Sequence, residues 1–337
     1  MRARCPRGGI LFAAFIGVAA LLPLVLDPHS HLLHVGALAL LFAATAQAWN
    51  IVGGLANQIS LGHAAFFGIG AYTSTLLYLR LGISPWLGLP AGAVLAGVAA
   101  ALLSLPTLRL RGHYFALATL AFAEVIRVIA NSWTRLSGGP LGLSIPFVGS
   151  KPELFAFRSV SAYYWIILVL LVAVCAVFQL FAGGALGYQL RAVRENEDAA
   201  EVTGVDTFRV KLTASVVSAM LTGACGTVFA QFTYYFDPDS IFSLAGISVR
   251  IAMIAVVGGL GRLGGPIIGA LLLIPLDEIA NATLSGKAAG LSQLVFALIL
   301  IAAILIQPRG ILALWPERKS TRPEVVHGMT GTCRWAP

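Results

Sequence analysis

Ten apolar runs constrain this chain more than any other feature. They cover residues 10–26, 32–52, 63–79, 86–105, 114–130, 162–182, 212–232, 251–260, 266–276 and 291–306. Backbone polar groups find no water in a bilayer core, so a crossing segment must satisfy them within itself, as a helix does. A span needs about 20 apolar residues. The runs therefore predict an all-α polytopic membrane protein with about ten transmembrane helices.

Two of these runs, 251–260 and 266–276, are too short to cross a bilayer alone. Each run either extends into flanking polar residues or forms a re-entrant segment buried in protein. Both alternatives stay open from the sequence.

The composition agrees with a membrane protein and argues against nucleic acid as a partner. Only 11% of the residues are charged, against about 25% in soluble domains, and the mean hydropathy is +0.88. The net charge of +8 comes without a basic patch interleaved with aromatic residues. Lysine and arginine accumulate in cytoplasmic loops of membrane proteins, which accounts for the excess. Membrane lipid is the expected surrounding.

The positions of lysine and arginine predict the orientation. Ten crossings with a cytoplasmic N-terminus place 15 of the 22 basic residues on the cytoplasmic side and five outside, with two inside spans. This bias favours cytoplasmic N- and C-termini. It also makes residues 183–208 a cytoplasmic loop and 131–161 the longest external loop. We expect a transmembrane domain over residues 1–315 and a disordered cytoplasmic tail over 316–337.

The first run is preceded by basic residues, as in a signal peptide, but no clear small-x-small cleavage site follows it. We interpret it as an uncleaved first span, and cleavage remains the alternative.

Residues 183–208, called the charged segment below, contain the most charged window of the chain. Helix-forming residues and the absence of glycine and proline predict one short helix over Ala192–Thr203. Gly204 is a natural left-handed stop for that helix. Arg191/Glu195 and Arg194/Asp198 have the spacing of i,i+4 ion pairs. The segment is either a docking element for a soluble partner or a solvated loop helix.

Polar residues within or beside the spans are candidates for a substrate pathway, because such groups are costly in a membrane and usually face a partner or a cavity. The candidates are Asn57, Gln58, His63, Glu124 and Arg250. Glu124 has a structural alternative, since its i,i+3 spacing allows an ion pair with Arg127. Arg250 has one too, as a gating or pairing residue near Asp237 and Asp239, whereas Asp277 and Glu278 are expected at the interface.

The sequence has no strong motif for catalysis, metal binding or nucleotide binding. The sequence contains no Ser/His/Asp arrangement, no paired catalytic carboxylates and no metal-ligand set, so we expect neither an enzyme nor a cofactor. Gly259-x-Gly261-x-x-Gly264 matches a dinucleotide fingerprint but joins two apolar runs, where a sharp turn or a re-entrant break is the better interpretation. No GxxxxGK[ST] motif occurs, so any ATP would be bound by another polypeptide.

Several stretches resemble one family. The sequence DAAEVTG is similar to the EAA motif of ABC-importer permeases, with Asp198 in the place of glutamate and the same spacing to Gly204. The surrounding stretch GYQLRAVRENEDAAEVTGVDTFRVKL resembles permeases for branched-chain amino acids. So do NQISLGHAAFFGIGAYT, LRLRGHYFALATLAFAEVIR, VVGGLGRLGGPIIGA and QPRGIL, in the expected order over about residues 35–315. The chain is similar to the LivM-type family.

The resemblance implies a function and a set of partners. It implies a permease subunit in a bacterial inner membrane that imports branched-chain amino acids with a LivH-type permease, two ABC ATPase subunits and a periplasmic substrate-binding protein. It places the ATPase-coupling residues in the charged segment; these are Glu195, Glu197, Asp198, Ala199, Ala200 and Gly204. A urea or short-amide permease of similar sequence is the alternative, and an ion-coupled secondary transporter or a membrane receptor is a less favoured one.

Overall fold

The computed structural model describes residues 6–28, 30–110, 112–147 and 149–284. The helices are α1 (Pro6–Val25), α2 (His31–Asn50), α3 (His63–Leu81), α4 (Pro85–Thr107), α5 (His113–Ser132), α6 (Thr134–Ser137), α7 (Val160–Gly183), α8 (Ala185–Glu195), α9 (Glu197–Val202), α10 (Thr207–Thr233), α11 (Pro238–Ile241), α12 (Arg250–Gly258) and α13 (Gly265–Leu284). Two π-helical turns, Ile51–Leu55 and Leu244–Val249, extend α2 and precede α12. Short 3-10 turns cover Gly139–Leu141 and Pro152–Leu154, and two-residue strands β1 (Leu143–Ser144) and β2 (Tyr235–Phe236) pair antiparallel.

The all-α polytopic fold is confirmed. Seven helices in the described part of the chain are long and apolar enough to cross a membrane. Two further apolar runs are also helical: the first lies in α1, and residues 63–79 lie in the 19-residue α3. The run 291–306 and the tail 316–337 lie outside the described residues. The number of ten spans therefore stays a prediction.

The two short runs extend into their flanks and become parts of helical stretches long enough to span a membrane. The run 251–260 becomes part of a 21-residue helical stretch, Pro238–Gly258, and the run 266–276 lies within Gly265–Thr283. The glycine-rich sequence between them forms a sharp turn, with Gly259 and Gly261 at φ of 126° and 72°. A Cβ on Gly265 would lie 2.0 Å from the carbonyl oxygen of Gly259, so the turn requires glycine there. Of the two interpretations of this motif, the turn is confirmed.

The long helices alternate between two ends of the bundle, defined by contacts between their loops. At the strand end, Arg80 donates to the carbonyl of Leu136 and Ile145 N–H donates to the carbonyl of Tyr234. At the opposite end, the charged end, Arg194 donates to the carbonyl of Gly54 and Gly261 N–H donates to Asn50. The loop 131–161 therefore lies at the strand end and the charged segment at the other.

Small residues allow the central helices to approach closely. A Cβ on Gly70 of α3 would lie 2.0 Å from the carbonyl oxygen of Gly223 in α10, and one on Gly226 would lie 1.9 Å from that of Phe67. Helices in lipid associate through such close packing because the hydrophobic effect does not drive them together there. This contact places α10 at the centre, from the charged segment to the strand end.

Candidate functional site

The charged segment forms two helices, so the predicted single helix over Ala192–Thr203 is wrong. Asn196 adopts an extended conformation (φ −160°, ψ 114°) between α8 and α9, and its side-chain oxygen accepts a hydrogen bond from Ala199 N–H at 3.0 Å. Asparagine competes for helical hydrogen bonds with its own side chain and so favours N-caps over helix interiors. The break redirects the chain immediately before the EAA-like residues.

The predicted stop at Gly204 is confirmed. Gly204 has φ of 88°, its N–H donates to the carbonyl of Glu201, and Val205 N–H donates to that of Ala200. This pair of bonds is a Schellman motif, which closes α9.

Some of the six predicted coupling residues are exposed, and others contact the helix bundle. Glu195, Asp198, Ala199 and Gly204 are exposed. Ala200 is only 3% exposed, and Glu197 forms an ion pair with the bundle. Only part of the set is therefore exposed on the surface of the chain.

The two arginines of α8 anchor it to the bundle by bonds to backbone carbonyls. Arg191 donates through Nε to the carbonyl of Gly187 at 3.0 Å and through its guanidinium to that of Ala182. Arg194 donates through Nη1 to the carbonyl of Gly54 at 2.7 Å. The Arg191 bonds replace its expected ion pair, its bond to Ala182 ties α8 to α7, and the Arg194 bond ties α8 to the π-helical end of α2.

An ion pair that the sequence did not predict ties α9 to α10. Lys211 Nζ lies 2.5 Å from Glu197 Oε1, and the two side chains are 3% and 24% exposed. Thr207 also donates from its hydroxyl to Glu201 at 2.6 Å. A buried lysine needs such a partner because an unpaired charge is costly away from water. The sequence carries little signal for this pair, because Lys211 lies one residue before the predicted run 212–232 and is expected as an ordinary cytoplasmic lysine.

Asn57 and Gln58 meet the charged segment in a cleft of about 340 Å³ at the charged end. Asn57 has a positive φ of 56° in the turn between α2 and α3. Glu197 lines the same cleft, so one predicted coupling residue and two predicted pathway residues share a single cavity. Arg194, Lys211 and His113 also line it.

His63 lies in a buried network and is 2% exposed. Its Nε2 lies 2.9 Å from Ser218 Oγ, and Ser218 donates its own hydroxyl proton to the carbonyl of Ala48. Nε2 must therefore carry the histidine proton, and Nδ1 is free to accept from Ser60, 3.1 Å away. The network joins α2, α3 and α10 across the turn that carries Asn57 and Gln58.

Glu124 and Arg127 do form the predicted i,i+3 ion pair, and Arg127 also pairs with Asp239. Asn131 donates to the same Asp239 carboxylate at 3.0 Å. This cluster links α5 to α11 near the strand end. The side chain of Glu124 is 47% exposed in the isolated chain.

Arg250 pairs with Asp277 of α13, and not with Asp237 or Asp239 as its position in the sequence suggested. Its guanidinium carbon also lies 5.3 Å from the ring centre of Phe42. Asp277 is 13% exposed in the isolated chain, and its position at the membrane interface stays a prediction. The pair connects α12 to α13, because a helix buried in the bundle can hold a charge only against an opposite one.

No group of three or more histidine, cysteine or acidic side chains is placed to hold a metal ion within the described ranges. The same part of the chain contains no strand longer than two residues, so the Gly259 motif is not set in a βαβ unit.

Comparisons with known proteins agree on one family. The family model described as "branched-chain amino acid transport system / permease component" matches residues 32–304. The high-affinity branched-chain amino acid transport system permease protein LivM of Escherichia coli (strain K12) is 32% identical over 302 residues, covering 82% of this chain and 67% of that protein. The corresponding LivH protein of Salmonella typhimurium is 26% identical over 300 residues, covering 84% and 92%.

A more distant relative, the probable branched-chain amino acid transport permease protein LivM of Methanocaldococcus jannaschii, is 21% identical over 299 residues. Similarity to both the LivM and LivH proteins extends over most of the chain, and the residues matched by the family model include the cleft and the charged segment. The chain therefore belongs to the family of branched-chain amino acid transport system permease components.

Proposed function

We propose that the chain is the membrane-spanning LivM-type subunit of an ABC importer that moves branched-chain amino acids across a bacterial inner membrane. In this proposal it pairs with a LivH-type permease, receives substrate from a periplasmic binding protein, and is driven by ATP hydrolysis on two separate ATPase subunits. Family membership and the similarity to both LivM and LivH proteins support it.

The observation that carries the proposal is that one side of the charged segment is exposed and the other is bonded to the helix bundle. Glu195, Asp198 and Ala199 are exposed for a partner. On the other side, Glu197 pairs with Lys211 of α10, and Arg194 holds the end of α2. A force applied to the exposed side of α9 therefore reaches two central helices through short polar contacts.

The five predicted pathway residues form two groups according to their contacts. Asn57 and Gln58 line the cleft beside the charged segment, and we assign them to the substrate route. His63, Glu124 and Arg250 are each held by partners on other helices or on their own, and we assign them to positioning the helices around that route.

Gly204→Asp tests the coupling role against a matched control. Gly204 has φ of 88° and no atom within 4 Å of a Cβ built on it, and Gly149 of the strand-end loop has φ of 90° and equally open space. Both substitutions impose the same backbone strain and the same new charge. In vesicles containing the complete transporter, we expect Gly204→Asp to abolish ATP-dependent leucine uptake and Gly149→Asp to retain it, with both proteins inserted normally.

Equal uptake by the two variants would show that the charged segment does not transmit the drive. Competition by isoleucine and valine, but not by urea or acetamide, is expected in the wild-type assay. Competition by urea or acetamide alone would favour the short-amide alternative. Uptake driven by an ion gradient without ATP would favour a secondary transporter.

A further inference from the structure

The cleft at the charged end is lined by both apolar and charged side chains. Ile59, Leu110, Phe115 and Val193 provide apolar surface. Arg194, Lys211 and Glu197 provide two positive charges and one negative charge, and His113 adds an imidazole. A volume of about 340 Å³ lies at the lower end of the range of about 300–1,000 Å³ for small-molecule sites. The cleft therefore suits a small ligand that carries both apolar and charged groups.

Two polar groups of this cleft keep unused hydrogen-bonding capacity. A guanidinium has five N–H donors, and the described bond of Arg194 uses Nη1 toward the carbonyl of Gly54. The side-chain oxygen of Gln58 is buried and has no hydrogen-bond partner among the described residues. Buried acceptors without a partner are uncommon and call for a ligand or a water. A donor group and an acceptor thus border the same space.

We propose that this cleft is a binding site for one molecule of an apolar α-amino acid. The ligand carboxylate binds the guanidinium of Arg194, and its ammonium group binds Gln58 and Glu197. The aliphatic side chain lies against Leu110 and Phe115, so neither end of the zwitterion loses water without a compensating contact. Lys211 keeps its ion pair with Glu197 when the ligand is bound.

Occupancy of this site acts on the charged segment, a consequence that rests on the proposed function. Glu197 and Arg194 belong to α9 and α8, whereas Gln58 and Phe115 belong to the turn after α2 and to α5. A ligand that contacts α8, α9, α5 and this turn stabilises their present arrangement. It therefore opposes any movement of α8 and α9 away from the bundle. By linkage, the driving movement then weakens binding, and amino acid accumulating at the charged end slows further transport.

Binding to the purified full-length chain in lipid nanodiscs tests the site without the transport partners. The probe is radiolabelled leucine, with isoleucine as competitor. Ala116→Trp fills the cleft, whereas Leu117→Trp adds the same ring at the next residue of α5, which is 60% exposed and outside the cleft. We expect saturable binding to the wild-type chain, a loss of affinity of at least about tenfold with Ala116→Trp, and a change within about twofold with Leu117→Trp.

Gln58→Leu provides a second variant in case the tryptophan disturbs folding. It removes the free acceptor, keeps the side-chain size, and should also weaken leucine binding. The absence of saturable leucine binding to the wild-type chain overturns the site, as does undiminished binding to both Ala116→Trp and Gln58→Leu. ATP-driven uptake in vesicles, measured separately, keeps the two ideas distinct: uptake without this binding refutes the site alone, and binding without uptake refutes the proposed function.

Discussion

At the scale of single residues, Lys211 has the largest consequence for the charged segment. It is 3% exposed, and its ion pair with Glu197 joins α9 to α10. Seven residues further along α10, Ser218 bonds His63 and Ala48. One helix therefore connects the charged segment to the buried histidine network.

Lys211→Met removes one partner of this pair and leaves the Glu197 carboxylate without its countercharge. We expect about 3 kcal/mol of destabilisation, at the lower end for a broken buried pair because Glu197 is partly exposed. Glu197→Gln in the same chain should restore most of the loss. A double-mutant cycle on unfolding in detergent measures the coupling, and additive effects of the two changes would contradict a direct contact.

Gln47 is a second informative residue, because it is fully buried and neither atom of its amide has a hydrogen-bond partner in the described structure. An unsatisfied buried polar group costs about 1–3 kcal/mol. Gln47→Leu should therefore raise the apparent unfolding temperature at a fixed scan rate. Thr45→Val is the control, since the Thr45 hydroxyl already donates to the carbonyl of Leu41 at 2.8 Å and its removal should give no gain. A lower unfolding temperature for Gln47→Leu would mean that the amide is satisfied in the membrane.

At the scale of elements, the break between α8 and α9 depends on Asn196. Asn196→Ala removes the bond to Ala199 N–H, worth about 1 kcal/mol at a helix N-cap. We expect lower ATP-driven uptake with little change in global stability, because the lost bond lies in a short exposed segment while the Glu197–Lys211 pair still holds α9 to α10. Asn196→Asp retains the cap and should restore uptake. If Asn196→Ala transports like the wild type, the orientation of α9 does not depend on this cap.

The contact between α3 and α10 is an element-scale feature of a different kind, because it depends on backbone proximity. A Cβ on Gly226 would lie 1.9 Å from the carbonyl oxygen of Phe67, so Gly226→Ala must separate the two helices. We expect a strong loss of monodisperse protein on size-exclusion chromatography. Gly17→Ala in α1 has open space around the new methyl group and serves as the control. Equal behaviour of the two variants would contradict the close packing.

At the scale of the whole molecule, the alternation of helices separates the basic residues into two groups. Arg109, Arg191, Arg194, Arg209, Lys211 and Arg262 lie at or near the charged end, and Arg80, Arg135, Lys151 and Arg158 lie at the strand end. Arg127 and Arg250 lie inside helices nearer the strand end and are assigned to spans. With these two left out, the larger number at the charged end supports a cytoplasmic location for the charged segment, by the positive-inside rule.

Labelling of single cysteines tests this orientation. Cys175 and Cys225 are fully buried and should not react, and Cys5 and Cys333 are replaced by serine. A membrane-impermeant maleimide added to intact spheroplasts should label Lys151→Cys and leave Thr203→Cys unlabelled until the membrane is permeabilised. The reverse pattern would invert the orientation and would exclude docking of a cytoplasmic ATPase on α9.

The sequence by itself determined the fold class and the position of the charged segment. Apolar runs predict helices because lipid offers no partner for backbone groups, and that requirement does not depend on the neighbours of a run. For the same local reason, Gly204 was correctly predicted to end a helix, and Glu124 to pair with Arg127. The break at Asn196 was missed because an N-cap was possible there but helix continuation was equally compatible with the composition.

Only the tertiary structure decided which polar residues meet. Arg250 has Asp239 eleven positions away but pairs with Asp277, and Glu197 pairs with Lys211, because helix packing sets the distance between side chains and sequence separation does not. The cleft likewise forms only where the turn at Asn57 and Gln58, the start of α5 and the charged segment come together. A cavity is a property of surfaces brought together by packing, and the order of residues within any one helix does not determine it.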